Sequence, residues 1–207
     1  MGNYFDIAFT PSVTELQARK GARDHYAEAA TWPSPTRLTA RELAHIQAAD
    51  SFYMASVSET EWPYVQHRGG PKGFVTVIDD RTIGWVERLG NRQYVSAGNI
   101  ATNNKVAFII VDYPSRTRLK IYGLATRHLE PSPDLITKLG GDDIRHDGAT
   151  TVEIVSFDWN CPKFITPRFT HEHIDALTDP LRQRIRELEA QLEGHSNTTT
   201  HEKGAQQ

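Results

Sequence analysis

KVAFIIVDYPSRTRLKIYGLATRHLE, residues 105–130, decides the fold. The runs on either side of Pro114-Ser115 are rich in β-branched and aromatic side chains, which suit a pleated, half-buried surface. A turn this short between two such runs makes them neighbouring antiparallel strands. Val106 to Val111 is apolar on both faces, the pattern of a strand covered on both sides. In the second strand, alternation places Arg116, Arg118, Lys120 and Tyr122 on one face, with Thr117, Leu119 and Ile121 on the other. The apolar face joins the core. The cationic ridge repels itself unless water or an anion sits among the charges.

Working outward, SFYMASVS (51–58), WPYVQHR (62–68), GFVTVID (73–79) and TIGWVE (82–87) precede this pair, and TTVEIVSFDWN (150–160) follows it. Glu59-Thr60-Glu61, Gly69-Gly70-Pro71 and Asp79-Asp80 divide the strands. Hairpin-length connections predict an antiparallel sheet, and so many strands in one small domain predict a barrel. Helices flank it, so the expected class is mainly β with flanking helices. One helix is expected within 12–30, and another follows the capping box Thr39 to Glu42, with Leu43 and Ile46 as its apolar edge. Pro33 and Pro35 separate the two, and a short helix runs from near Ser132 to Gly140-Gly141. The last helix is expected to start at Asp179 with Pro180 in its first turn. Its stripe Leu181, Ile185, Leu188, Leu192 needs a partner, either the barrel or another chain. Residues 1–194 therefore read as one domain, and the polar stretch 195–207 as a disordered tail.

The net charge of −3 gives no support to a nucleic-acid partner. No apolar run reaches the length of a membrane span, so no membrane association is expected. The start MGNYFDIAFTPSV lacks a basic segment before a long apolar one, unlike a secretory signal, and Asp6 does not suit myristoylation at Gly2. A single cysteine, Cys161, excludes an internal disulfide and fits a reducing cytoplasm.

Two segments could carry a ligand. In GNRQYVSAGN (90–99), Arg92 offers a cationic fork, and Asn91, Gln93, Ser96 and Asn99 offer neutral hydrogen bonds. Gly90 and Gly98 allow close backbone approach, which suits a phosphate; a polar surface turn would look the same. Gln66, His67 and Arg68 end a strand beside the Gly69-Gly70 turn, where they could meet a ring's heteroatoms or simply face solvent. His171 and His173 lack companion ligands, so no metal is expected, and Cys161 before Pro162 reads as structural. No P-loop, nucleophile elbow or strand-borne GxGxxG is present.

WPYVQHRGGPKGFVTVID, then IGWVERLGNRQYVSAGNIATNNKVAFIIVDYPSRTRLKIYG, then DWNCPKFITPR, resemble the pyridoxamine 5'-phosphate oxidase-like flavoproteins. The resemblance covers roughly Leu38 to Arg168. It implies an FMN-binding split β-barrel, a homodimer with flavin in clefts between subunits. The family's phosphate-binding Ser-Arg-Lys segment falls on Asn91, Arg92 and Gln93, so the arginine is kept and the lysine lost. Lys120 is the expected replacement charge, beside Arg118, with Ser96 and Asn99 as further donors. Gln66, His67 and Arg68 match the strand bordering the isoalloxazine ring, and Arg68 or Lys163 would stabilise the reduced anionic flavin.

The C-terminal arginine and tryptophan signature of the vitamin B6 oxidases is missing; WNCPKFITPR and a helix stand there instead. The implied function is an FMN-dependent oxidoreductase, an oxidase or NAD(P)H-dependent reductase, acting on an unidentified small molecule, with no catalytic residue evident. The alternatives are a non-catalytic flavin protein for storage or sensing, or a haem or deazaflavin binder on the same scaffold.

Overall fold

Seven strands form one antiparallel sheet in the order β2-β1-β5-β6-β7-β4-β3. They are β1 (Ser51–Val57), β2 (Pro63–Gly69), β3 (Thr76–Asp79), β4 (Thr82–Arg88), β5 (Lys105–Asp112), β6 (Thr117–His128) and β7 (His146–Asn160). The computed structural model describes residues 4–31 and 36–204, which leaves Gly2, Pro33, Pro35 and residues 205–207 outside the description. The chain forms two compact units, Met1–Ile165 and Thr166–Gln207.

The first unit is mainly β with flanking helices, as expected, but the sheet does not close: β2 and β3 remain its edges. Leu119 and Ile121 of β6 face the same core as Phe52, Met54, Trp85, Phe108, Val152, Ile154 and Phe157. Burying a side chain of this size stabilises by about 1.5–3 kcal/mol. β5 departs from its expected double burial. Val106, Phe108 and Ile110 are buried, whereas Ala107, Ile109 and Val111 are only half-buried. Arg116 leaves the expected cationic ridge, because it sits in the β5–β6 turn with φ of 55°.

Among the described residues four helices precede the sheet: α1 (Tyr4–Ala8), α2 (Pro11–Arg19), α3 (Arg23–Ala30) and α4 (Ala40–Ala48). The single helix expected over 12–30 is divided at Gly21, whose φ of 68° suits glycine and breaks the helical ladder. α4 carries the expected capping box. The Glu42 carboxylate accepts the Thr39 N–H at 2.9 Å and also the Thr39 hydroxyl. Glu42 further accepts Trp159 Nε1–H, which ties α4 to the end of β7. Between the strands lie α5 (Val95–Thr102) and α6 (Pro133–Lys138).

The second unit contains α7 (His171–Gly204). It starts eight residues before the expected N-cap Asp179, so Pro180 lies inside the helix. Thr170 supplies the cap: its hydroxyl accepts the His173 N–H at 3.3 Å. The helix also continues through residues 195–204, where the sequence predicts a disordered tail.

Candidate functional site

β4 runs core-facing through Ile83 and Trp85 and then presents Glu87, Arg88 and the loop 89–94 to two adjoining clefts. The larger, about 390 Å³, is lined by Phe74, Trp85, Val86, Leu139 and Ile144 together with the turn at 67–73. The smaller, about 80 Å³, is lined by polar groups: Gln66, Asn91, Arg92, Gln93, Ser96 and Arg127. Arg68, Glu87, Arg88 and Gly90 belong to both walls.

The loop that shapes the smaller cleft is strained. Arg92 and Tyr94 hold φ of 58° and 53°, a region that costs a non-glycine residue about 1–3 kcal/mol. Asn91 Oδ1 accepts the Gln93 N–H at 3.2 Å and tightens the turn. α5 begins directly afterwards, and no side chain caps it at Tyr94. Tyr94, Ser96 and Ala97 line the cleft, so the positive end of α5 borders it. Ser96 is buried and donates to Gln66 Oε1 at 2.6 Å, joining α5 to β2.

The charges here differ in how they are held. Arg68 Nε lies 3.4 Å from Glu87 Oε2, with both side chains less than a fifth exposed. That contact is an ion pair without hydrogen-bond alignment, since the buried Nε–H has no hydrogen-bond partner. Glu87 is fixed by two donors, Trp85 Nε1–H at 3.0 Å and the Thr150 hydroxyl at 2.8 Å. Arg127 donates to the carbonyls of His128 at 3.1 Å, Ala149 at 3.0 Å and Asp147. Those partners are neutral dipoles, so no carboxylate is hydrogen-bonded to it, although Asp147 lines the same cleft. Among the described residues neither Arg88 nor Arg92 has an acidic partner. The Asp147 carboxylate, hydrogen-bonded to Tyr94, pushes the phenol ionisation up.

Gly148 permits the Arg127 arrangement. Its φ is 110°, and a Cβ there would lie 2.2 Å from the His128 carbonyl oxygen and 2.5 Å from Arg127 Nη1.

Of the residues singled out from sequence, Gln66, Arg68, Asn91, Arg92, Gln93 and Ser96 meet in the smaller cleft. His67 lines the larger one and packs edge-on against Tyr53 at 5.4 Å. Asn99, Arg118, Lys120 and Lys163 line neither. Asn99 is buried and donates to Ser56 Oγ at 3.0 Å, holding α5 to β1. Lys120, expected to replace the lost lysine, is drawn elsewhere: it lies 3.8 Å from Asp158 and 5.3 Å from the centre of the Tyr4 ring. Burial pushes the Asp158 carboxyl up, and Lys120 only partly offsets it. Arg118 Nε is buried on the same strand, also without a hydrogen-bond partner. Lys163 sits 5.6 Å from the Phe164 ring centre.

Sequence reasoning missed Glu87, Arg88 and Arg127. Arg127 carried a usable signal. It continues the register Leu119, Ile121, Gly123, Ala125, so it is a charge on the core-facing side of β6. Such a charge marks where the core gives way to a site.

An uncapped helix start, Arg88, Arg92 and Arg127, and neutral donors can bind a compact dianion, with the arginines of the smaller cleft outnumbering its carboxylates Glu87 and Asp147. The larger apolar cleft can take a flat ring attached to it. Among the described residues no group of three or more His, Cys, Asp or Glu could hold a metal ion, and no helix is long and apolar enough to cross a membrane.

The family model described as Pyridoxamine 5'-phosphate oxidase matches residues 38–144. No curated protein matches the chain. Among solved structures, one from Lactobacillus delbrueckii named for pyridoxamine 5'-phosphate oxidase is 21% identical, with a TM-score of 0.48 over 60% of this chain and 95% of its own. An FMN-binding protein from Syntrophomonas wolfei is 14% identical, with a TM-score of 0.43 over 70% and 97%. The haem storage protein HutZ from Vibrio cholerae is 14% identical, with a TM-score of 0.44 over 59% and 94%. At these scores the family assignment rests on the sequence match.

Proposed function

This chain belongs to the pyridoxamine 5'-phosphate oxidase family, and on that premise we propose that it binds FMN and works as an FMN-dependent oxidoreductase. The observation that carries the reading is the junction of the two clefts. A cationic pocket at the start of α5 shares Arg68, Glu87, Arg88 and Gly90 with an apolar cleft of about 390 Å³. The donor set fits the cofactor at both ends. Arg92, Arg88, Arg127 and the first N–H groups of α5 would hold the phosphate, with Gln93 and Asn91 at its edge. Arg68, steadied by Glu87, would border the ring, with Gln66 locked by Ser96 beside it.

The bound flavin would supply the redox chemistry; the chain's own groups position it and set its electrostatics. Substrate and electron donor, an NAD(P)H among the candidates, would approach through the larger cleft. The proposal includes a homodimer. The outward residues Ala107, Ile109 and Val111 of β5, with exposed Tyr53 and Val65, form an apolar sheet face suited to a second copy.

The test is the absorption spectrum and cofactor mass of the purified protein, followed by anaerobic titration with NADH or NADPH. Flavin absorption with FMN released, and bleaching on titration, support the reading. Flavin that no reductant bleaches would make this a binder without turnover. A Soret band instead of flavin absorption would assign the cleft to haem.

A further inference from the structure

We propose that α7 pairs with the α7 of a second copy of this chain as a parallel, in-register two-stranded coiled coil. The inference deepens the dimer part of the proposed function but rests on α7 alone and requires no flavin. Ile174, Thr178, Leu181, Ile185, Leu188 and Leu192 recur at alternating spacings of four and three. That is a heptad seam, with Ile174, Leu181 and Leu188 at the d positions and Thr178, Ile185 and Leu192 at the a positions. The five apolar members are 42 to 68% exposed, an unusual cost for one regular stripe in water. β-branched Ile185 at a, between Leu181 and Leu188 at d, is the arrangement that favours two parallel strands.

Charge decides the partner and the orientation. In a parallel pair each g position faces the e position five residues on in the partner. Arg184 then meets Glu189 twice, once on each side of the seam. The antiparallel register that buries the same six residues sets Arg184 against Arg184 and Asp175 against Glu189, so both flanks repel. Within one chain Arg184 pairs with Glu187 at 3.2 Å, and Arg182 with Asp175 at 3.2 Å and Asp179 at 3.0 Å. These are exposed contacts of small worth and are readily exchanged for an interchain pair. Pro180 falls at a c position, so its ring lies outside the seam, and its cost is the backbone hydrogen bond it cannot donate within α7.

The experiment uses the full chain with Cys161 replaced by serine, which leaves no other thiol. Leu192→Cys, far from the centre of the seam, is oxidised at micromolar concentration beside the outward-facing control Ala190→Cys. Parallel pairing predicts rapid disulfide-linked dimer for Leu192→Cys and about tenfold slower linkage for Ala190→Cys. Adding Arg184→Glu should slow the Leu192→Cys linkage about fivefold, and Arg184→Glu with Glu189→Arg should restore it. Equal linkage at 190 and 192 overturns the proposal, and so does failure of the double exchange to restore. The flavin spectrum of each variant reports the cofactor reading separately.

Discussion

Arg92 and Glu87 show how differently two charges can serve one cleft. Arg92 stands in the left-handed region on a strained loop with no acidic partner, an arrangement suited to a ligand and not to the fold. Arg92→Ala should weaken FMN binding by about 1.5–3 kcal/mol and leave riboflavin affinity unchanged, as fluorescence titration would show. Glu87 instead serves the fold. Glu87→Ala leaves Trp85 Nε1 and the Thr150 hydroxyl without their acceptor, at about 1–3 kcal/mol for each group left unsatisfied in urea denaturation. A pair of glycines makes a matched test. Gly148→Ala must clash with the His128 carbonyl and disturb Arg127, whereas nothing lies within 4 Å of a Cβ at helical Gly98. The first should lower the melting temperature and FMN affinity together; the second should raise stability by up to about 1 kcal/mol.

The β5–β6 hairpin was legible in the sequence because its causes are local. Alternation fixed its faces, and the pairing Lys105↔Leu124 through Asp112↔Thr117 follows from the turn. What lies across from a face is not local. Lys120 shares its face with Arg118 as read, but its neighbour on β7 is Asp158, and nothing near position 120 announces that pairing. The start of α7 fails for a similar reason. Asp179-Pro180 is a sound helix start, yet Thr170 offers another, and the helix begins at the earlier one. The capping box of α4 was legible, but its third partner Trp159 was not. That clamp predicts an acid response. Burial of Glu42 raises its pKa, but hydrogen bonds from Thr39 and Trp159 outweigh burial and leave it below its ordinary value of 4.5. A depressed folded pKa gives stability that is present above the unfolded value and lost as pH falls through the folded one. Glu42→Gln should therefore flatten the fall in stability below about pH 4.5, seen by urea denaturation across the acid range.

At the scale of the molecule, cofactor and assembly should both appear as linkage. FMN at a hundred times its dissociation constant should stabilise the chain by about 2.7 kcal/mol, and at the same concentration that increment should fall to about 0.3–1.3 kcal/mol in Arg92→Ala. Deleting everything after Arg168 removes α7 and leaves the first compact unit whole. Light scattering of that truncated chain should show a weaker dimer. Strand order has one more consequence, on the ribosome. β3 and β4 are made early, yet β4 finds its second neighbour only in β7, where Thr82 meets Glu153 and Trp85 meets Thr150. Synthesis at about 5–20 residues per second leaves the β4 edge, with Ile83 and Trp85, waiting several seconds for its mate to emerge. The nascent chain is therefore most exposed to misassociation in that interval, and chaperones at the ribosome would matter most for the half of the protein synthesised first.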